Sequence, residues 1–465
     1  MTTGSIPRLM IAFTLPMLAG TLLQTAYSFI NAIWVGQYLG KTALAAVTVS
    51  FPVLFALIPL GAGLTMATNI LVSQHYGARN MGDVRKVVDS STILIMLISL
   101  LIVGLGELLA PLIIRAMDTP PDVLPLAVGY LRIFFLAMPF AFGLFLARNA
   151  MQGIGDSTTP LYFQTASVIL TAVLDPLLMF GWLGFPRLDL NGTAWASLIT
   201  QVAALAALLL YMHYRKSPVS PTWSRLRVDW PTVWATVRIG IPSSVQQSLV
   251  AIGMVVVISL VNHYGEAATA AFGAASRIDQ LAFMPAMTFS LAISTLAGQH
   301  IGARKLHRIK EIFWWGLLFS GGFTLIATAL AVAMPEVLLR IFVKPSETEV
   351  IRLGVDYLRI VGPFYLFFAF TFTSNGVING SGHTLVTTIV SLISIWLIRV
   401  LLAGILSHLL GSVTGVWYAI GASFVASMLI STAYYLSGHW KRPVINRQST
   451  PTNETAILAE EMAEA

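Results

Sequence analysis

The chain has 465 residues, 56% hydrophobic and only 10% charged, against about 25% charged in a soluble globular domain, which leaves no room for a large soluble domain. The absence of cysteine excludes disulfides, thiolate metal sites and a cysteine nucleophile. The net charge of +7 sits in short loops rather than on one helix face, which argues against nucleic acid as a partner.

A membrane span needs about 20 mostly apolar residues, because in lipid the backbone must satisfy its own hydrogen bonds. Met1–Arg8 is short and polar. The apolar run from Leu9 to Val35 is too long for a signal-peptide core and lacks a convincing cleavage site, so it reads as the first span. Twelve segments qualify, near 10–36, 43–73, 91–114, 126–150, 161–183, 192–213, 238–263, 268–298, 313–334, 354–378, 385–407 and 415–437. The second and eighth need tilt or a kink, which Pro52, Pro59 and Pro285 can supply.

The loops alternate in charge. Arg8, Arg79, Arg85, Lys86, Arg215, Lys216, Arg225, Arg227, Arg304, Lys305, Arg308, Lys310, Lys441, Arg442 and Arg447 give 15 basic residues on one side, against six on the other (Lys41, Arg115, Arg187, Arg340, Lys344, Arg352). Cytoplasmic loops collect Lys and Arg, so both termini are expected in the cytoplasm of a multi-pass inner (plasma) membrane protein.

The chain is duplicated. Gln74-His-Tyr-Gly-Ala-Arg79 recurs as Gln299-His-Ile-Gly-Ala-Arg304, 225 residues later. Tyr130-Leu-Arg-Ile recurs as Tyr357-Leu-Arg-Ile, and Gly153-Ile-Gly155 as Gly380-Ser-Gly382, both 227 residues later. Matches at nearly one offset signal internal repetition. Six spans per half is an even number, so both halves insert the same way up, related by a pseudo-two-fold along the membrane normal. The expected organisation is an all-α protein with an N-terminal lobe over 1–213, a cytoplasmic linker over 214–231 and a C-terminal lobe over 232–440. A disordered tail is expected over 441–465. Repeats of this kind place a small-molecule path between the halves. A monomer is expected.

Ionisable groups at membrane depth are functional candidates by default. Asp175 lies mid-way along the fifth span, before Pro176, whose ring disturbs the carbonyl at Ala172. A carboxylate beside freed carbonyls suits a sodium ion, and a carboxylate removed from water suits a proton. Thr171 is one turn earlier on the same face. Arg277 and Asp279 lie inside the eighth span at a spacing that puts them on different faces. Asp279 is therefore expected to bind a cationic substrate, carry a second proton, or pair with Arg399. Arg148 and Arg399 sit near span ends and read as snorkelling side chains, or as ligands of an anionic substrate. Gly61, Gly63, Gly153, Gly155, Gly380 and Gly382 read as sites of close helix packing or loop turns. No H-E-x-x-H, G-x-S-x-G or Walker A segment is present, so neither an enzyme nor a metal site or cofactor is expected.

Several stretches resemble one family in order: Val35-Gly-Gln-Tyr-Leu-Gly40, Gln74-x-x-Gly77-Ala, Gly153-x-Gly155-Asp156-Ser-Thr-Thr-Pro160, Leu174-Asp175-Pro176 and Arg277-Ile-Asp279. Up to about residue 440 the chain resembles the multidrug and toxic compound extrusion (MATE) transporters, their DinF-like branch in particular. The resemblance implies a V-shaped two-lobe fold and export of organic cations or amphipathic compounds in exchange for H+ or Na+. It assigns the coupling cation to Asp175, with Asn31, Thr171 and Ser197 as its polar neighbours, and Na+ at Asp175 as the only metal ion implied. Tyr27, Gln24, Arg277 and Asp279 are the expected substrate contacts. Asn31 and Thr171 stand where the family carries an aspartate and an asparagine, so the site has lost one negative charge. The alternative is a flippase for lipid-linked (polyprenyl-phosphate) sugars, with Arg148, Arg277 and Arg399 facing the cleft.

Overall fold

The computed structural model describes residues 1–38, 40–117, 119–222 and 228–441. Arg225 and Arg227 of the linker, the tail from residue 442, and the side chains of the Val35–Gly40 motif lie outside the described residues. Among the described residues, twelve helical spans are long and apolar enough to cross a membrane.

Helices α1 (Ile6–Tyr38), α2 (Gly40–Gly77), α3 (Met81–Ala116), α4 (Leu124–Ile154), α5 (Thr158–Phe180) and α6 (Asp189–Tyr214) form the first lobe. The second holds α7 (Trp230–Asn262), α8 (Glu266–Gly302), α9 (Ile309–Ala333), the short α10 (Pro335–Arg340), α11 (Thr348–Val361), α12 (Tyr365–Gly380), α13 (Thr384–Ser391), α14 (Leu401–Leu410) and α15 (Thr414–Ser437). The tenth span is α11 and α12 joined through a 3₁₀ turn at Gly362–Phe364. The eleventh is α13 and α14 joined through a π-helical segment, Leu392–Val400.

Several helices run past their apolar stretches, the third and tenth among them. The third starts at Met81, not near 91, because the Asn80 side chain caps it, accepting from the Asp83 amide at 3.1 Å. Its first turns bury Val84, Val87 and Val88 against α2, α4 and Ile239 of α7. The tenth starts at Thr348, where a strongly amphipathic turn buries Val350 and Ile351.

The hydrophobic clusters show where the lobes meet. At the end carrying the basic loops, Ile6, Met10, Phe13 and Met17 of α1 pack on α8 and α9, and Ile239 of α7 packs on α2. At the opposite end each lobe has its own core. One is built on Phe135, Phe142 and Ile114, the other on Trp417, Tyr357 and Tyr365. No hydrophobic cluster among the described residues joins the lobes there. The molecule is therefore a V, closed at the basic-loop end, with a cleft opening at the other.

Candidate functional site

In the first lobe the site begins with Asp175. Its helix, α5, packs on α1 and α6, and Asp175 lies on its buried side with Thr171 and Leu178. Asp175 is only 2% exposed. Tyr27 of α1 donates its hydroxyl to Asp175 Oδ2 at 2.8 Å. The other oxygen, Oδ1, is buried with no hydrogen-bond partner among the described residues. Asn31 follows Tyr27 by one helical turn, on the face of α1 that meets Asp175. Its carbonyl oxygen is likewise buried and unpartnered. Thr171, one turn before Asp175, is buried; its hydroxyl donates to Ser167 O at 2.8 Å and keeps its own lone pairs.

A buried acceptor left unpaired costs about 1–3 kcal/mol. Asp175 Oδ1 and Asn31 Oδ1 are acceptors of this kind, carried by the contacting helices α5 and α1, and oxygen is the ligand that a proton or a small hard cation takes. The residues present thus fit a coupling cation.

The remaining expected residues divide. Ser197 is half-buried on α6, and among the described residues no hydrogen bond ties it to Asp175 or Thr171. Gln24 lies one turn before Tyr27 on the same face of α1 and is exposed. Tyr130 of α4 is buried within electrostatic range of Asp175. From sequence, Tyr130 stands out only as part of the duplicated Tyr-Leu-Arg-Ile.

The second lobe holds its acid differently. Tyr357 of α11 and Tyr365 of α12 each donate a hydroxyl to Asp279 of α8, one to each carboxylate oxygen. The expected pairing of Asp279 with Arg399 is not among the ion pairs of the described residues. Arg399, carried by the π-helical segment, instead donates Nε to Ser423 Oγ at 2.9 Å and stands 5.1 Å over the Phe424 ring. The duplicated tyrosine thus attends an acid in both lobes, although the two acids come from non-equivalent helices, α5 and α8. Tyr357 and Tyr365 were missed from sequence. The repeat of Tyr130 at Tyr357 was the one signal that could have found the first of them.

Arg277 and Asp279 part company. Arg277 is exposed, with its guanidinium 5.8 Å from the Phe342 ring. It lines a cavity of about 860 Å3 with Glu266, Lys344 and Glu347, at the open end of the molecule.

Three comparisons bear on this architecture. The MatE family profile matches residues 16–177 and 242–405, once in each lobe. The chain is 33% identical over 450 residues to the probable multidrug resistance protein YoeA of Bacillus subtilis, covering 95% of this chain and 96% of that protein. It is 29% identical over 445 residues to the probable multidrug resistance protein YpnP of the same organism, covering 95% and 97%. Among solved structures, a MOP superfamily transporter from Pyrococcus furiosus, described as having a binding pocket of reverse polarity, superposes with a TM-score of 0.87 at 22% identity, covering 94% of this chain and 97% of that one.

Proposed function

The chain belongs to the MATE family of membrane transporters, and from that membership we propose that it is a secondary antiporter that exports organic cations or amphipathic compounds in exchange for protons or sodium ions. It is a transporter and not an enzyme. Relatives named as multidrug resistance proteins support the substrate class. The observation that carries the coupling role is Asp175: a carboxylate sealed inside the first lobe, bonded on one oxygen by Tyr27 and left open on the other.

The mechanism follows from charge. A cation on Asp175 neutralises a buried carboxylate and satisfies its unpaired oxygen, whereas an empty site leaves a charge in a poorly solvated cavity. The two states therefore favour different hydration of the first lobe and different openings of the cleft, so ion binding and the direction of opening are linked. Asn31 and Thr171 supply neutral oxygens, which makes Asp175 the sole charged ligand of the site. Gln24 on α1 and Arg277 on α8 are exposed polar groups offered to the substrate, and Asp279 fixes the second lobe through its two tyrosines.

The flippase reading needs arginines converging on one cavity. Arg399 is engaged by Ser423 and Phe424 inside the second lobe, which favours the antiporter. The test is transport in proteoliposomes under an imposed proton or sodium gradient. Asp175→Asn is expected to abolish gradient-driven export while leaving the protein folded. Export at the wild-type rate by that variant would remove the coupling role.

A further inference from the structure

The repeated Gln-His-x-Gly-Ala-Arg segments lie far from both buried acids, and coupling makes no use of them. They meet at the closed end. Gln74, in the last turn of α2, donates Nε2 to the carbonyl of Gly380 at the end of α12, in the other lobe, at 2.8 Å. Gln299, in the last turn of α8, donates Nε2 to the carbonyl of Gly153 at the end of α4, again across the lobes, at 2.8 Å. Donor and acceptor are each members of a repeated pair, so the two bonds are the same contact made twice about the pseudo-two-fold.

The acceptors suit the role. The last carbonyls of a helix have no partner within it. The chain reversals after α4 and α12 use the carbonyls of Met151 and Gln152, and of Ile378 and Asn379, which leaves Gly153 and Gly380 for the opposite lobe. The glycines of the motif allow the approach. A Cβ on Gly77 would lie 2.0 Å from Gln299 O, and one on Gly302 would lie 1.9 Å from Gln74 O, so each motif glycine sits on the backbone of the other lobe's glutamine. One turn deeper, Thr295 donates to Asn69 Oδ1 across the same seam at 3.0 Å. At the rim, Lys305 and Arg308 of the second lobe bind the backbone carbonyls of Thr2 and Gly4, which lead into α1.

We propose that Gln74 and Gln299 are a reciprocal latch that seals the cleft at the basic-loop end, and that both bonds break each time the transporter opens to that side. Separating the lobes there strips the buried amide of Gln299, the half-buried amide of Gln74 and two helix-terminal carbonyls of their partners at once. The closed arrangement is thereby favoured until water can enter and replace them. Because each bond ties one lobe to the other, losing either loosens the same seam. The latch is independent of how the coupling ion is bound, so a failure of the Asp175 reading leaves it standing.

The cysteine-free chain allows a direct test. Ser73 is fully buried in the seam, where a Cβ on Gly298 would lie 2.1 Å from its hydroxyl. In full-length protein in vesicles, a Ser73→Cys thiol should react slowly with a membrane-impermeant charged maleimide added on the basic-loop side. Adding Gln299→Ala or Gln74→Ala should each raise the labelling rate roughly 3- to 10-fold, as loss of one such bond implies, and the pair should raise it further. Unchanged labelling in the double variant overturns the latch, as does a rise confined to Gln74→Ala, the neighbour of the probe. A second variant keeps both glutamines. The ideal Cβ of Gly298 lies 3.1 Å from Ser73 Cβ, within about half an ångström of disulfide geometry. Ser73→Cys/Gly298→Cys should therefore crosslink on oxidation, stop transport, and recover on reduction. Transport continuing in the crosslinked protein overturns the requirement that this end opens.

Discussion

Asp175 and Asp279 are both carboxylates at membrane depth, yet their surroundings give them different work. Tyr27 occupies one oxygen of Asp175, whereas Tyr357 and Tyr365 occupy both oxygens of Asp279. Asp175 therefore has an oxygen with no partner among the described residues, and Asp279 has none. Tyr27→Phe removes one charge-assisted bond, of about 1.5–3 kcal/mol, without removing the charge. It is expected to slow gradient-driven export by about an order of magnitude or more, short of the complete loss expected for Asp175→Asn, in the same proteoliposome assay. Tyr365→Phe leaves a carboxylate oxygen of Asp279 unpaired and should lower stability by about 1–3 kcal/mol, read as a fall in the thermal unfolding midpoint of the purified protein. Asp175 was legible in the sequence because a lone acid in an apolar run announces itself. Tyr357 and Tyr365 were not, because an aromatic residue in a membrane helix is usually packing and its hydroxyl partner lies tens of residues away.

At the scale of helices, most of what determines the fold is how closely two backbones approach. A Cβ on Gly63 of α2 would stand 2.4 Å from the backbone nitrogen of Ser244 on α7, and Ser244 Oγ already donates to Leu60 O at 3.2 Å. Gly63→Val should force these helices apart at an overpacking cost of about 1–3 kcal/mol, measured as a lower unfolding midpoint, with the lobe seam more open to labelling. The length of the apolar runs located all twelve spans, since a lipid-facing helix has to be apolar along its length. It could not locate the capped start of α3, where Asn80 and an amphipathic turn carry the helix beyond the apolar run. Nor could it reveal the π-helical segment of the eleventh span. One extra residue in a turn changes the direction of Arg399 but leaves no mark on hydropathy.

For the whole molecule, the distribution of basic loops sets an expected orientation. The sealed end carries the basic loops, so the cleft is expected to open away from the cytoplasm. A reporter fused after Lys441 should be active only in the cytoplasm, and a protease added outside intact cells should leave it untouched. A fused reporter active outside would reverse the direction assigned to the cleft. The sequence by itself determined the class, the span count, the duplication and the candidacy of Asp175. Each of these is written in local composition or in a repeat at fixed spacing, and needs no partner to be read. Tertiary structure alone decided which oxygen of Asp175 is free, which side chains hold Asp279, and which end of the V is shut. Those depend on contacts between residues 78 to 306 positions apart, and a hydrogen bond between distant helices is fixed by how the helices pack, which no single stretch of sequence encodes.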